Sequence, residues 1–215
     1  MPYNYDMKQT RKRFFISKKT GSWERAKLVR WAIENEFNTL VFPLDDKFFK
    51  GGNSKYIKLA KRFAFYIEAG GDDLSLLMPR NLFLFNQELF RMEQGKRKQK
   101  HHFCPTNPKT IEIIAARTRK IFSRALLKVS ADRIFHLLPD EGFETVWCQC
   151  PACRAFRPAE QYLIAVNTAA DVLAKIDPQA KIYYIDFDTE PEAARVKTRA
   201  NMVVNKLPLS SPARQ

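Results

Sequence analysis

Short apolar runs alternate with longer segments of helical periodicity over most of the chain. The run 39–44, TLVFPL, has the length and apolar character of a buried strand, and Pro158 opens a segment with apolar residues at the spacing of one helix face. Strands that are apolar throughout, each followed by a helix, are typical of a parallel sheet covered on both faces. The alternation therefore predicts an α/β fold, either a (β/α) barrel or a doubly wound sheet.

The same pattern predicts five strands and a possible sixth. They cover 13–17, 39–44, 74–78, 133–138, 181–187 and, for the sixth, 201–204. A helix over 56–67 precedes the third strand, and the looser pattern of 81–103 indicates an insertion with a hairpin turn at Gln94-Gly95. A complete barrel needs about 250 residues or more. The 215 residues of this chain thus predict a partial TIM-type barrel of about five to six parallel strands, residues 1–204, and an irregular tail at 205–215.

The chain is strongly basic, with 37 Lys and Arg residues, 23 Asp and Glu residues and a formal charge of +14. The densest basic run is KRKQKHH at 96–102. Such a surface attracts polyanions. However, the charge is spread over most of the chain, and no aromatic-interleaved recognition motif accompanies the run. A solvated basic hairpin is the favoured interpretation, and a nucleic-acid partner is the less favoured one.

The sequence also bears on the compartment. No window approaches the roughly 20 apolar residues of a membrane span, and the first 13 residues are polar and charged. We therefore expect a cytoplasmic protein with no membrane partner. In that compartment the four cysteines are expected to be reduced thiols or metal ligands before disulfides.

Acidic residues follow three of the expected strands. Ligand sites of parallel α/β folds lie beyond the C-terminal ends of the strands, although single acidic residues are also common in solvated loops. Glycoside hydrolysis needs an acid and a second negative group, and Asp140-Glu141 fits that demand best, with Glu141 as general acid and Asp140 as an orienting residue. Two loop acids with a capping role are the alternative. The other candidate substrate-binding carboxylates are Asp45, Asp46, Asp186 and Asp188.

The segment 136–141, HLLPDE, resembles the His-x-x-x-Asp-Glu motif at the fourth strand of the family-20 β-N-acetylhexosaminidases. In that family the Glu is the general acid, and the Asp orients the substrate's own acetamido group, which serves as the nucleophile. The resemblance implies these roles for Glu141 and Asp140, with His136 as a supporting polar group. Leu138 and Pro139 stand where that family has two glycines.

A longer resemblance covers 101–204. The segments HFCPTNP (102–108), PDEG (139–142) and WCQCPAC (147–153) are similar to a bacterial domain-of-unknown-function family with a glycosidase-like barrel. Members carry the aspartate at position 140, but a glycine is more usual than Glu141. The resemblance implies carbohydrate processing and leaves the reaction open. It fades near Val204, which predicts a truncated barrel with an open sheet edge that invites self-association.

The cysteines have the spacing of metal ligands. Cys148, Cys150 and Cys153 lie within six residues, and Cys104 at the end of the insertion can complete a tetrahedral structural zinc site. His101, His102 or His136 can substitute for one of them. Buried free thiols or a local disulfide are the alternatives. No cofactor is expected for catalysis itself.

Two further residues have a functional and a structural interpretation. His136 lies in an apolar strand, where it is either a substrate-binding residue or a satisfied core histidine. Trp147 either stacks on a sugar ring or covers the cysteine loop. Together these features predict a glycoside-hydrolase-like enzyme with a carbohydrate partner, and a non-catalytic carbohydrate-binding protein is the alternative.

Overall fold

The computed structural model describes residues 11–17, 19–71, 74–139, 147–187 and 194–204. Within them, six parallel strands form one sheet, in which each strand lies beside the preceding one along the chain. The strands of this sheet are β1 (Arg13–Phe15), β2 (Thr39–Phe42), β3 (Tyr66–Gly71), β6 (Ile134–Leu137), β7 (Lys181–Tyr184) and β8 (Met202–Val204).

The helices connect these strands. The long ones are α1 (Ser22–Glu34), α3 (Ser54–Arg62), α5 (Pro108–Ala125) and α6 (Pro158–Ile176), and the short ones are α2 (Asp46–Phe49) and α4 (Leu74–Leu77). The described ranges also contain 3₁₀ turns at Arg80–Leu84, Gln87–Leu89 and Cys153–Ala155. None of the helices in the described ranges is long and apolar enough to cross a membrane.

The strand order distinguishes the two predicted architectures. A doubly wound sheet reverses its strand order at a switch point, where its ligand binds. Here each strand of the sheet lies beside the preceding one in chain order, and the described part of the sheet contains no reversal. The sheet therefore has the sequential winding of a (β/α) barrel, and the predicted fold class is confirmed.

The two faces of the sheet differ because successive side chains of a strand point to opposite sides. On one face, the apolar side chains of the strands pack beneath the helices in a single buried core; they include Leu40, Phe42, Ile67, Phe135 and Ile182. The strand register places the alternate residues on the other face, which corresponds to the inside of a barrel; they include Arg13, Val41, Glu68, His136 and Tyr183. The inner face is therefore the polar one.

The third strand lies earlier than the sequence predicts. The helix α3 ends at Arg62, and Ala64 then adopts a φ of 58°, which takes the chain out of the helical conformation. Tyr66 donates its N–H to Asn38 O and begins β3, while Leu74–Leu77 forms one helical turn. The predicted strand at 74–78 is therefore wrong, because a short apolar run has the same appearance in a strand and in a buried helical turn.

Other predicted features are confirmed. The insertion contains a hairpin of β4 (Met92–Glu93) and β5 (Lys96–Arg97), and Gln94 and Gly95 take φ angles of 49° and 75° in its turn. Positive φ at both central residues is what a tight type I′ hairpin turn requires. Both long helices after the insertion begin at the expected prolines, α5 at Pro108 and α6 at Pro158.

The end of β3 has an unusual backbone. Gly70 and Gly71 have φ angles of +122° and +132°, a conformation that other residues rarely adopt. At Gly70 the neighbouring strand is also very close, since a Cβ built there would lie 2.0 Å from the carbonyl oxygen of His136. Glycine at position 70 thus allows β3 to approach β6 beside the expected catalytic loop.

We predict that Gly70→Ala destabilises the protein far more than Gly71→Ala. Both substitutions introduce backbone strain of about 1–3 kcal/mol, but a Cβ at Gly71 meets no atom within 4 Å. Only Gly70→Ala must also separate β3 from β6. Urea unfolding of the two variants measures the difference, and equal losses in the free energy of unfolding would contradict the close approach.

Candidate functional site

The predicted catalytic pair, Asp140 and Glu141, lies outside the described residues, as does Asp188. The chain is described as far as Pro139, two residues beyond the end of β6, and Leu138 donates its N–H to Gly71 O at 2.8 Å. The described chain thus reaches the carboxyl edge of the sheet, next to the end of β3, just before the pair. This is the edge at which barrel enzymes bind their substrates.

Two other predicted carboxylates follow strands at the same edge. Asp45 comes after β2 and accepts bonds from Arg25 Nη2 at 2.8 Å and from Phe48 N at 2.8 Å, so its carboxylate caps α2, in which Asp46 is the first residue. Asp186 follows β7 and is exposed. Two strands of the sheet, β3 and β6, separate β2 from β7. In the described contacts Asp45 therefore has a structural role, because its carboxylate binds Arg25 and caps α2.

A buried ionic cluster occupies the inner face of the sheet. Glu68 on β3 is 1% exposed, and its carboxylate accepts from Arg11 Nη1 at 2.6 Å and from Arg13 Nε at 2.8 Å. His136 Nε2 lies 2.6 Å from Glu68 Oε2. Arg11 also pairs with Asp132. One carboxylate thus connects β1, β3 and β6.

The rings of the inner face surround this cluster. The Arg11 guanidinium lies over the Tyr66 ring at 4.1 Å, and that of Arg13 lies over the Tyr183 ring at 4.5 Å. The rings of Phe15 and His136 meet edge to face, with their centroids 5.0 Å apart. The arginines are therefore held by cation–π contacts as well as by the carboxylate.

The charges of the cluster follow from its burial and its partners. Burial alone would raise the pKa of Glu68, but the bonds from His136 and Arg13 outweigh it and lower this pKa from 4.5 to about 2. Complete burial lowers the pKa of His136. The hydrogen bond and charge of Glu68 raise it but do not outweigh burial, and the positive charges of Arg13 and Arg11 lower it further. His136 is thus neutral at pH 7 and donates its Nε2–H to an ionised Glu68. The structure places the predicted substrate-binding residue His136 in this inner cluster.

Glu68 was not identified from the sequence. The sequence pattern assigns this segment to the end of a helix, and that assignment does not predict a side chain on one face of a sheet. A charged residue inside the otherwise apolar run 65–69, FYIEA, is the signal that was available.

The four cysteines form a second buried cluster. Their Sγ atoms all lie within 4.8 Å of one another, and Cys104 Sγ is 3.7 Å from Cys150 Sγ and 3.6 Å from Cys153 Sγ. All four are buried and free of disulfides. The predicted grouping of Cys104 with Cys148, Cys150 and Cys153 is confirmed, and no histidine is needed to complete it.

Polar groups surround the sulfurs. Cys148 Sγ accepts from Met92 N at 3.2 Å and from Arg97 Nη1 at 3.8 Å, and the Thr106 hydroxyl lies 3.1 Å from Cys153 Sγ. Bonds from Cys148 and Cys153 lower the pKa of the Cys104 thiol, while the bond with Cys104 raises the pKa of Cys153. Four thiols this close do not all ionise without a cation between them.

Trp147, next to Cys148 in the chain, lies in the apolar core. It is 5% exposed and stacks on His102, with ring centroids 3.9 Å apart and an interplanar angle of 4°. Burial and the nearby charges of Arg80, His101 and Arg91 lower the pKa of His102 to about 3, so the stacked ring is neutral. The second predicted substrate-binding side chain thus lies in the core beside the cysteine loop.

Solved structures with the same fold are glycosidases. The tandem GH20 catalytic modules of the pneumococcal exo-β-D-N-acetylglucosaminidase StrH match with a TM-score of 0.63 at 12% identity, over 90% of this chain and 58% of that one. The chain has the (β/α)-barrel fold of those modules. A second StrH structure, concerned with N-glycan recognition and hydrolysis, has a TM-score of 0.61 at 10% identity, over 90% and 57% of the two chains.

These matches show the fold alone, and the chain spans less than three fifths of the length of those structures. No protein-family model matches the chain, and a comparison with curated proteins gives no match either. The resemblance of 101–204 to a bacterial family therefore stays a prediction.

We predict that the Glu68 cluster makes folding sensitive to acid. Because the pKa of Glu68 falls from 4.5 to about 2 on folding, its stabilisation is fully present above about pH 4.5 and is lost as the pH falls towards 2. The loss amounts to about 3 kcal/mol. Urea unfolding between pH 7 and pH 2 measures it, and Glu68→Gln is expected to be less stable at pH 7 and to lack this part of the pH dependence.

The matched control is Asp171→Asn, which removes an exposed carboxylate that pairs with Arg199 at 2.7 Å. It is expected to cost less than about 1 kcal/mol at pH 7. The proposed role of Glu68 would be wrong if both variants lost the same stability.

Proposed function

We propose that this chain is a carbohydrate-processing domain of glycoside-hydrolase type, with Glu141 as general acid and Asp140 as the residue that orients the substrate. One observation carries the proposal. The structure has the fold of family-20 catalytic modules, and the strand that leads to Asp140-Glu141 is the fourth of its parallel sheet, as in the family-20 motif. The fold and the motif therefore support the same position for the acid.

The proposed reaction follows from the two carboxyl groups. Glu141 in its protonated form gives its proton to the glycosidic oxygen as the bond to the leaving group breaks. Asp140 holds the acetamido group of an N-acetylhexosamine substrate, and that group attacks the anomeric carbon in place of an enzyme nucleophile. Such chemistry needs no cofactor. In this proposal the cysteine cluster takes no part in bond cleavage.

The Glu68 cluster supports the proposal by fixing the start of the catalytic segment. His136 lies four residues before Asp140, and its ring is held inside the sheet by Glu68. The strand β6, which carries His136, cannot rotate about its axis without breaking the hydrogen bond between His136 and Glu68. A rigid strand that leads into a catalytic loop is the usual way in which a barrel positions its acid.

We expect Glu141→Gln to lose about 10²–10⁴-fold in hydrolysis, because an amide cannot donate the proton to the leaving group. The measurement is release of nitrophenol from a panel of aryl glycosides that includes the N-acetylglucosaminide and N-acetylgalactosaminide. Glu144→Gln is the control, since it makes the same change three residues further along the same segment. Full activity in Glu141→Gln with unchanged circular dichroism would contradict the acid assignment.

A non-catalytic carbohydrate-binding domain is the second candidate. The fold supports it equally, because a barrel edge can bind a sugar without an acid that acts on it. The burial of His136 and Trp147 removes two predicted sugar contacts from both candidates. Thermal unfolding with and without N-acetylhexosamines separates the candidates. A sugar-dependent rise in the unfolding temperature without product release indicates binding alone.

We also propose that the chain associates with itself through the outer strands of the sheet. Among the described strands, β1 and β8 each pair with only one neighbour. Unpaired backbone groups of an edge strand are a template for pairing with another chain. Light scattering that gives a monomer mass over a wide concentration range would overturn this proposal.

A further inference from the structure

We infer that Cys104, Cys148, Cys150 and Cys153 bind one zinc ion in a closed tetrahedral site. Four sulfurs that each lie about 2.3 Å from one zinc ion are about 3.8 Å apart. The distances from Cys104 Sγ to the sulfurs of Cys150 and Cys153 are 3.7 and 3.6 Å, and every pair of the four lies within 4.8 Å. The sulfurs therefore stand almost where a single ion requires them.

The same distances disfavour the other uses of four cysteines. A disulfide pair would bring two sulfurs to about 2.05 Å and leave the other two apart, whereas here all four are free and converge. An iron–sulfur cluster has its own iron and sulfide atoms between the thiolates, so its ligand sulfurs lie farther apart than those around one ion. The arrangement is that of a mononuclear site.

The chemistry of the ligands favours zinc. Four soft thiolates in a tetrahedral arrangement are typical of Zn²⁺ or iron, and at a given site Zn²⁺ binds more tightly than Fe²⁺. With four thiolates the site carries an excess negative charge. The guanidinium of Arg97 approaches Cys148 Sγ to 3.8 Å, and the N–H of Met92 donates to the same sulfur at 3.2 Å. Such donors around the ligands stabilise a bound metal.

The site joins parts of the chain that are distant in sequence. Cys104 lies at the end of the insertion, three residues before the cap of α5 at Asn107, and the other three cysteines lie between the expected catalytic segment and α6. Met92 and Arg97 bring the hairpin of β4 and β5 to the same point. The ion would thus fasten the insertion to the loop that follows the expected catalytic segment.

The buried amide of Gln161 holds the cysteine loop to α6. Its Oε1 accepts from Cys148 N at 3.0 Å, and its Nε2 lies 3.1 Å from Cys148 O and 3.2 Å from Cys153 O. The backbone of two of the four ligands, Cys148 and Cys153, is therefore held by a helix of the barrel. Because the loop is already ordered by these bonds, metal binding loses little free energy to ordering of the chain.

The first experiment is metal analysis of the full chain purified without chelator and without an affinity tag that binds metal. We expect one zinc ion per chain by mass spectrometry of the elements. After the zinc is replaced by cobalt(II), the strong visible absorption of a tetrahedral tetrathiolate site is expected. Iron in place of zinc, or two disulfides seen as a loss of four hydrogens in the intact mass, would overturn the assignment.

Variants at Cys150 distinguish metal binding from packing. Cys150→Ser is expected to lose its zinc to a competing chelator at least tenfold faster than the native chain, because serine is a poor ligand for zinc. Cys150→His keeps a zinc ligand, so it is expected to retain one ion per chain and to show weaker sulfur-to-cobalt absorption. Native protein that carries no metal and has four thiols accessible to titration after unfolding would also overturn the proposal. This outcome is independent of any test of hydrolysis.

Discussion

The carboxylate of Glu68 is the interaction on which the inner face of the sheet depends. It lies on the third strand and binds Arg13 on the first, Arg11 just before it and His136 on the fourth. Removal of this negative charge would leave two guanidinium groups without their buried partner. Removing one partner of a buried ion pair costs several kcal/mol. Compared with well-packed apolar residues in the same place, however, the intact pair often contributes no net stability. The cluster is therefore best understood as a device that fixes the arrangement of the strands.

The position of the cluster has a consequence for the carboxyl edge of the sheet. His136 is bound to Glu68, and Gly70 on the neighbouring strand leaves no space for a side chain against the backbone of His136. The fourth strand is thus fixed both by a hydrogen bond and by backbone contact just before the segment that carries Asp140 and Glu141. A catalytic acid needs such fixed support, because a displacement of about 1 Å costs on the order of a hundredfold in rate.

The cysteine cluster has a comparable role on the other side of the same segment. Three of its four cysteines follow residue 146, and Trp147, the first described residue after that segment, is buried and stacks on His102. The expected catalytic segment is thus flanked by two different clusters, the ionic cluster of Glu68 before it and the cysteine cluster after it. This arrangement is consistent with a site built on the rim of a barrel, where loops carry the function and the scaffold supplies rigidity.

Much of the architecture could be read from the sequence because it depends on local patterns. The apolar runs at 39–42, 134–137, 181–184 and 202–204 became strands, and the helices after Asn107 and Arg157 began at proline as their fixed φ requires. The spacing of the cysteines also indicated a common site. The third strand was misplaced because the run 74–77 is apolar but too short to have a recognisable period.

The sequence by itself determined the alternation of strands and helices, the helix starts and the set of cysteines, since each of these is encoded by residues close together in the chain. Tertiary structure alone decided that Glu68 meets Arg13 and His136, 55 and 68 residues away. It also decided that His136 and Trp147 face the interior. The physical reason is that strand register and loop closure bring these side chains together, and neither leaves a local pattern in the sequence.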